Sequence, residues 1–600
     1  MSETTTAETR DVDLDEPASP AEPRRPWWAR LNAGWCLFGA VTVFAVALYW
    51  PAWRAPRQVW IGEDTDSAQF IWFAEWLRYA LLHGHGSLLT SHVNYPIGIN
   101  LMWQPTPVLP NFLVLPVTVL GGPVLAYNVL CTLAMPAAAA GGYLACRRLV
   151  DQPWAAAAGG LAYGISPFLI THMIGHVFLE MTFLVALAFV VLHELFVRQR
   201  WPFWRTGVAL GVLGAATLLT AEEFLAYDAV LGTLGLALLG LLARRQVAGK
   251  LPYAWRAALV GVAVLLPLAA YPLWVQFRGP NRLSVNGLHP AILGGNDLLN
   301  LVVPTNQLGA RSATGTIAHF VGWHSEWSGY IGVPMLLLIG IVVALGWRRT
   351  RVRFAALLAL LITVLALGVR LHVHGHAYTG VPLPWAAVDH VPLLADAIAA
   401  RSMAYGDLAI ALLVGFFAAE LPRIARRSRA VGVTAMVLLA AALASWIPVT
   451  ASTTTLPQPA YFTGPADPAI PAGAPVLVLP YTVNFPRRNE SMLWQAVAGM
   501  RFTMPAGYFL MSDPQGRTRF VPALTPLTYE FTLIQLGRKP GRNEHTRTVL
   551  LADLRKRQLA AVIVGPSPFA DAERDYLTWL LGRPPAHAGG VDIWYHPASP

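Results

Sequence analysis

Long apolar runs separated by short arginine-rich clusters dominate the first three quarters of the chain. Such runs lie near residues 33–52, 123–146, 153–171, 178–197, 206–221, 224–243, 257–276, 330–347, 354–370, 404–421 and 430–449, each approaching or reaching the ~20 residues a helix needs to cross a bilayer. The clusters Arg24/Arg25/Arg30, Arg147/Arg148, Arg198/Arg200/Arg205, Arg244/Arg245/Lys250/Arg256, Arg348/Arg349/Arg351/Arg353 and Arg423/Arg426/Arg427/Arg429 then all fall on one side. The pattern predicts a polytopic α-helical membrane protein of about eleven transmembrane helices with its N-terminus inside. PVLPNFLVLPVTVLGG (107–122) is apolar but short, and Pro107, Pro110 and Pro116 break it. Counting it as a span would invert every later basic cluster, so a re-entrant or interfacial helix is expected.

Between the spans, residues 53–106, 278–328 and 371–403 form long extracytoplasmic loops, whereas the inner loops are short and basic. Long loops in a compact fold usually carry function. Beyond residue 450 the period changes. Residues 451–475 read as a Pro-rich linker, and residues 476–600 alternate strands (APVLVLPYTV, LAAVIVGP, VDIWYH) with helices (ESMLWQAVAG, TRTVLLADLRKRQ, DAERDYLTWLLG). That alternation predicts a small C-terminal extracytoplasmic α/β domain. It holds no Walker or Rossmann glycine pattern. At the other end, residues 1–30 form a cytoplasmic tail whose first 26 residues are polar, acidic and Pro/Ala/Thr-rich, a composition that favours disorder.

Composition sharpens the class. Of 600 residues, 55% are hydrophobic and 13% charged, against roughly a quarter charged in soluble domains. The net charge of +10 resides in the inter-span clusters, which argues for membrane orientation and against a nucleic-acid partner. Cys36, Cys131 and Cys146 all fall in apolar runs, without a disulfide or zinc spacing.

Several clusters carry candidate chemistry. The stretch IGEDTDSAQFIWF places Glu63, Asp64 and Asp66 in the first outer loop. Asp66 and Ser67 can cap a helix over residues 67–83, with Phe70, Phe73, Leu77, Ala80 and Leu81 on one face. That face predicts an amphipathic helix on the outer leaflet, with Trp72, Trp76 and Tyr79 at headgroup level. The carboxylates are either a solvated helix cap or an acid–base group. In THMIGHVFLE, His172, His176 and Glu180 share a face if the helix is continuous, and suit a divalent cation (Mg, Mn or Ca) or a pyrophosphate-like group. Gly175 weakens that helix, and hydrogen-bonded interfacial histidines are the plainer reading. Glu222 and Glu223 lie at another outer turn, with Asp228 just beyond. A further loop holds His319, His324 and Glu326 among Trp323, Trp327 and Tyr330, and RLHVHGHAY holds His372, His374 and His376. Arg401 stands just before a span on the outer side, where it can meet a lipid phosphate or reach the headgroups.

GEDTDSAQFIWFAEW, NYPIGINLMW (94–103) and SEWSGYIG together resemble the GT-C class of integral membrane glycosyltransferases, in particular actinobacterial members. The resemblance covers about residues 33–450 and is architectural; EDTD departs from a plain adjacent Asp-Asp or Asp-Glu pair. It implies a polyprenyl-phosphate-linked sugar donor, an extracytoplasmic acceptor (cell-wall glycan, glycolipid or protein) and transfer with inversion at the cell membrane. It also implies a first-loop base, Asp66 or Asp64 with Glu63 third. His172, His176 and Glu180 would hold a metal, while Glu222, Glu223, Arg401, Glu326 and Trp76 would contact substrate. A lipid-linked saccharide transporter, flippase or polymerase is the competing reading. Against a transporter, the polar groups gather on one face without an internal repeat.

Overall fold

Helices occupy every expected span: Trp27–Leu48, Pro123–Cys146, Pro153–Gly164 continued by Pro167–His172, Phe183–His193, Phe203–Leu218, Glu222–Arg278, Val333–Gly346, Thr350–Ala366, Met403–Arg427 and Arg429–Ala444. The computed structural model describes residues 27–63, 66–283, 290–308, 314–391, 394–448, 451–482, 489–513 and 517–598. The expected disordered tail therefore lies almost wholly outside the described residues. Four helical stretches among those described are long and apolar enough to cross a membrane: Pro123–Cys146, Pro153–His172, Glu222–Arg278 and Ala399–Arg427. The other apolar helices are shorter, so about eleven spans remains the sequence's own expectation.

Two expected spans, 224–243 and 257–276, are the two limbs of Glu222–Arg278, helices joined across a kink at Ala243, where the backbone leaves helical geometry. The second limb packs closely on Phe203–Leu218. A Cβ at Gly207 or Gly211 would meet the carbonyl oxygen of Ala257 or Gly261 at 2.4 and 2.5 Å, the small-residue contact usual between membrane helices. Residues 107–122 form two short helices, Val108–Leu113 and Leu115–Gly121, rather than a span. Phe112, Leu113, Val119 and Leu120 on them are exposed, as suits an interfacial segment.

The first outer loop corrects two expectations. Strand Val59–Ile61 pairs antiparallel with Thr453–Thr455, so residues 451–475 include a strand and a short helix, Ala460–Thr463, instead of being only a linker. Three β-branched threonines in a row supply the strand propensity. Helix Asp66–Leu82 does not lie on a leaflet. Ser67 to Leu77 and Ala80 are buried, because aromatics on all sides leave no polar face, and a helix apolar all round belongs in a core. It is covered by helix Glu490–Val497 and by Pro123–Cys146. Trp72 Nε1 donates to Gln495 Oε1 at 2.6 Å and Gln69 Nε2 to the Tyr508 carbonyl at 2.9 Å. Burial raises the Glu75 carboxyl above its ordinary range, opposed by its bonds from Arg78.

The C-terminal sheet runs Ala586–Ala588, Val591–Tyr595, Ala561–Val564, Val476–Leu479 in space, with the last two strands parallel. All eight residues of those two strands are buried, as expected of parallel strands covered on both faces. Alternation divides the faces. Leu477, Leu479, Val562 and Val564 join a core with Leu527, Leu550, Leu577 and Trp594 from the sheet and flanking helices. Val476, Val478, Ala561 and Ile563 belong instead to the large core that contains Trp494 and the Asp66 helix.

Candidate functional site at the start of the Asp66 helix

Two glycines let the first loop and the 172–180 segment pass at contact distance. Gly62 has φ +98° and a Cβ there would lie 2.6 Å from the Ile174 carbonyl oxygen; Gly175 has φ +143° and a Cβ there would lie 2.7 Å from Ser67 Oγ. Only glycine meets both demands without strain. The crossing is fixed by Glu63 N donating to Ile174 O at 2.7 Å, Gly62 N to Ser452 O at 2.7 Å and Thr454 Oγ1 to Gly62 O at 2.7 Å.

This crossing sets Asp66 over His176, whose Nε2 lies 3.0 Å from Asp66 Oδ2. His176 Nδ1 in turn lies 3.1 Å from His172 Nδ1. A carboxylate can only accept, so His176 Nε2 carries the hydrogen. With His176 neutral, its Nδ1 accepts from His172 Nδ1, which leaves a lone pair on His172 Nε2. That atom is buried without a hydrogen-bond partner and faces Glu326 Oε2 across 4.0 Å.

Glu326 is held from the other side. Arg401 Nε donates to Glu326 Oε2 at 3.0 Å and Arg401 Nη2 to Glu326 Oε1 at 2.6 Å, a bidentate clamp suited to guanidinium. Arg401 Nη1 also donates to Glu223 Oε2. Glu223 Oε1 accepts from Tyr227 at 2.7 Å and from Ile398 N at 3.2 Å. Tyr227 stands one helical turn after Glu223, a spacing the sequence reading left unused. Glu63 sits at the rim, its exposed carboxylate 3.3 Å from His324 Nε2. Asp64 lies outside the described residues.

Three residues named from the sequence stand apart. Glu180 is buried beside Cys131, Tyr127 and Tyr49. The helix carrying His172 ends there and Gly175 breaks the register, so Glu180 does not share the histidines' face. Glu222 accepts from Gln276 at 2.7 Å, away from Arg401. Trp76 is a core residue, stacked at 5.8 Å on Trp72 with Nε1 donating to Ser87 O at 3.0 Å. His372 and His374 belong to a hairpin, Arg370–Val373 with His376–Pro382, whose turn donates to Asp297 from His374 N at 3.0 Å and Gly375 N at 2.8 Å.

The ligand atoms of His172, His176 and Glu326 lie within 4.8 Å of one another, close enough to share a metal ion as they stand. Glu326 replaces Glu180 in that set. The orphaned His172 lone pair opposite a carboxylate fits a divalent cation. So does the charge: Glu223 and Glu326 share one guanidinium, and Asp66 adds a third carboxylate through His176. His176 can ligate only by releasing Asp66 or His172, since both its nitrogens are engaged.

Below Arg401 an apolar cleft of about 160 Å³ opens between helices, lined by Val185, Phe189, Leu231, Leu358 and Leu412 among others. Asp228 and Tyr405, hydrogen-bonded at 2.9 Å with Tyr405 one turn beyond Arg401 on the Ala399–Arg427 stretch, are among its polar lining, with His193, Thr350 and Arg351.

No protein-family model matches the chain, and no curated protein does. Among solved structures the chain is similar to the oligosaccharyltransferase of Archaeoglobus fulgidus in its apo form, with a TM-score of 0.47 and 11% identity over 93% of this chain and 72% of that one. It is similar to ArnT from Cupriavidus metallidurans bound to undecaprenyl phosphate, with a TM-score of 0.45 and 12% identity over 95% and 99%. It is also similar to the arabinofuranosyltransferase AftD from Mycobacteria, with a TM-score of 0.43 and 15% identity over 93% and 41%.

Proposed function

We propose that the protein is a membrane glycosyltransferase that moves a sugar from a polyprenyl-phosphate donor to an acceptor on the extracytoplasmic face, with inversion. The observation that carries this reading is the joining of Asp66, His176, His172, Glu326 and Arg401 in one cluster above an apolar cleft. An isoprenoid chain suits the cleft, while its phosphate needs positive charge and the acceptor hydroxyl needs a base.

In this reading Asp66 accepts the acceptor's hydroxyl proton as that oxygen bonds the anomeric carbon. The bond from that carbon to the donor phosphate breaks, and its electron pair leaves with the phosphate. His176 holds the Asp66 carboxylate in place through Nε2–H. Arg401, fixed by two carboxylates, presents the nearby positive charge. Those carboxylates also repel a phosphate, which is why a divalent cation is part of the reading. His172 and Glu326 would hold it, with His176 as a third donor, and it would neutralise phosphate charge. Imidazole donors favour Mn²⁺ over Mg²⁺ or Ca²⁺.

The test offers polyprenyl-phosphate pentoses and hexoses to purified protein and to Asp66→Asn and Asp64→Asn variants. Turnover by wild type that falls about 10²–10⁴-fold in Asp66→Asn supports the reading. No turnover of any such donor, or equal turnover by wild type and both variants, overturns it.

A further inference from the structure

Three histidines outside the site gather around one tyrosine at the far end of the Asp66 helix. Tyr79 stacks on His83 at 4.1 Å and on His85 at 5.7 Å, and meets His92 edge-on at 4.8 Å. The His83 and His85 ring centroids are 6.5 Å apart, and those of His85 and His92 are 6.4 Å apart. We propose that His83, His85 and His92 form a zinc-binding site that fastens the end of the Asp66 helix to the C-terminal part of the chain.

The chemistry of each ring favours ligation. His83 Nδ1 lies 2.9 Å from the Tyr79 carbonyl oxygen. A carbonyl only accepts, so Nδ1 carries the hydrogen and Nε2 keeps its lone pair. A backbone bond of this kind fixes the tautomer and aims the ring of a metal-bound histidine. His92 is 8% exposed and its Nε2 has no hydrogen-bond partner, a polar atom whose burial is otherwise uncompensated. His85 is exposed and free of hydrogen bonds that would have to break; its backbone N–H donates to Ala80 O at 2.9 Å.

His83 and His85 are joined by Gly84, with φ +68°, so the His-x-His pair projects from a tight turn. In a closed tetrahedral site the ring centroids stand roughly 5 Å apart, given Zn–N bonds of about 2.0–2.1 Å. The separations of 6.5 and 6.4 Å exceed this, so closing the site requires the exposed His85 side chain to turn toward the other two, and water would supply the fourth ligand. Neutral imidazoles select zinc over magnesium or calcium. The consequence is mechanical, because the His92 carbonyl already accepts from Met504 N and Gln495 Nε2, each at 2.8 Å.

The experiment uses the full chain in detergent, purified without a polyhistidine tag and stripped of metal. Zn²⁺ is titrated against a chromophoric chelator into wild type, a His83→Ala/His85→Ala variant and a His172→Ala/His176→Ala variant. Co²⁺ replaces Zn²⁺ for a visible-absorption readout of tetrahedral geometry. Loss of one equivalent of Zn²⁺, and of the Zn²⁺-dependent rise in Tm, in the first variant but not the second supports the site. Both substituted side chains in the first variant are exposed, so its fold is preserved. Equal uptake by the first variant and wild type, or no uptake by wild type, overturns the proposal.

Discussion

Arg401 is the residue on which the cluster's charges balance. Replacing it by Met leaves Glu223 and Glu326 close together without their shared cation, and breaking such a pair costs about 3–5 kcal/mol. Arg401→Met is therefore expected to lower Tm strongly and to abolish transfer. Arg401→Lys should recover part of the stability but little activity, since an ammonium cannot make the bidentate contact to Glu326 while reaching Glu223. Thermal unfolding and turnover measured on both variants check this. Asp66, His176, Arg401 and Glu326 were all visible in the sequence as residue types out of place near apolar runs. Their partnerships were not. Contacts between residues 66 and 176, or 326 and 401, depend on how helices pack, which no local spacing encodes. Glu180 misled for a physical reason: a period of four implies one face only while the helix continues, and Gly175 ends it.

At the scale of the element, the glycine crossing is the feature most sensitive to small changes. Gly175→Ala and Gly62→Ala each force a Cβ into a neighbour's oxygen at below 3 Å and onto a backbone rarely tolerated by other residues. Each is expected to destabilise by about 1–3 kcal/mol and to cut turnover by displacing Asp66, read as a lower Tm together with a lower kcat. The former linker gives a second test. Asp467 Oδ2 accepts from Tyr595 at 2.6 Å and Tyr461 at 3.1 Å, and Oδ1 from Ala469 N at 2.9 Å. Burial pushes this carboxyl up, but the three bonds outweigh it and hold it below its ordinary range. The folded state then binds its proton less readily than the unfolded chain, so the stability it supplies is complete above about pH 4 and lost as pH falls further. Asp467→Asn should flatten that acid limb in a Tm-versus-pH series. The individual elements here were legible: each expected strand and helix of residues 476–600 is found within a few residues. What the sequence reading missed was the helix with aromatics on every side, which a one-sided wheel made into a surface helix.

For the whole molecule, the C-terminal sheet serves two cores at once. One face closes its own domain, and the other joins Trp494 and Phe509 to Trp72 and Phe73. The α/β portion is thus a lid fused to the first outer loop rather than an appended module. Truncation after residue 450 is expected to bare Trp72, Phe73 and Trp76 and to lose the strand partner of Val59–Ile61. The truncated protein should aggregate or unfold in detergent, whereas an independent module would leave a well-behaved membrane part; size-exclusion profiles distinguish the two. Composition and alternation predicted the layers, but which outer surface the second sheet face would cover depends on a meeting of residues some 400 positions apart, as between Gln69 and Tyr508.

That separation also sets the order of assembly during synthesis. Gly62 takes its bond from Thr454 across 392 positions, so the ribosome completes every apolar run before the first loop can find its strand. Contacts of such range form slowly, so activity should emerge with a lag after membrane insertion. A chain released before residue 455 should insert and stay silent.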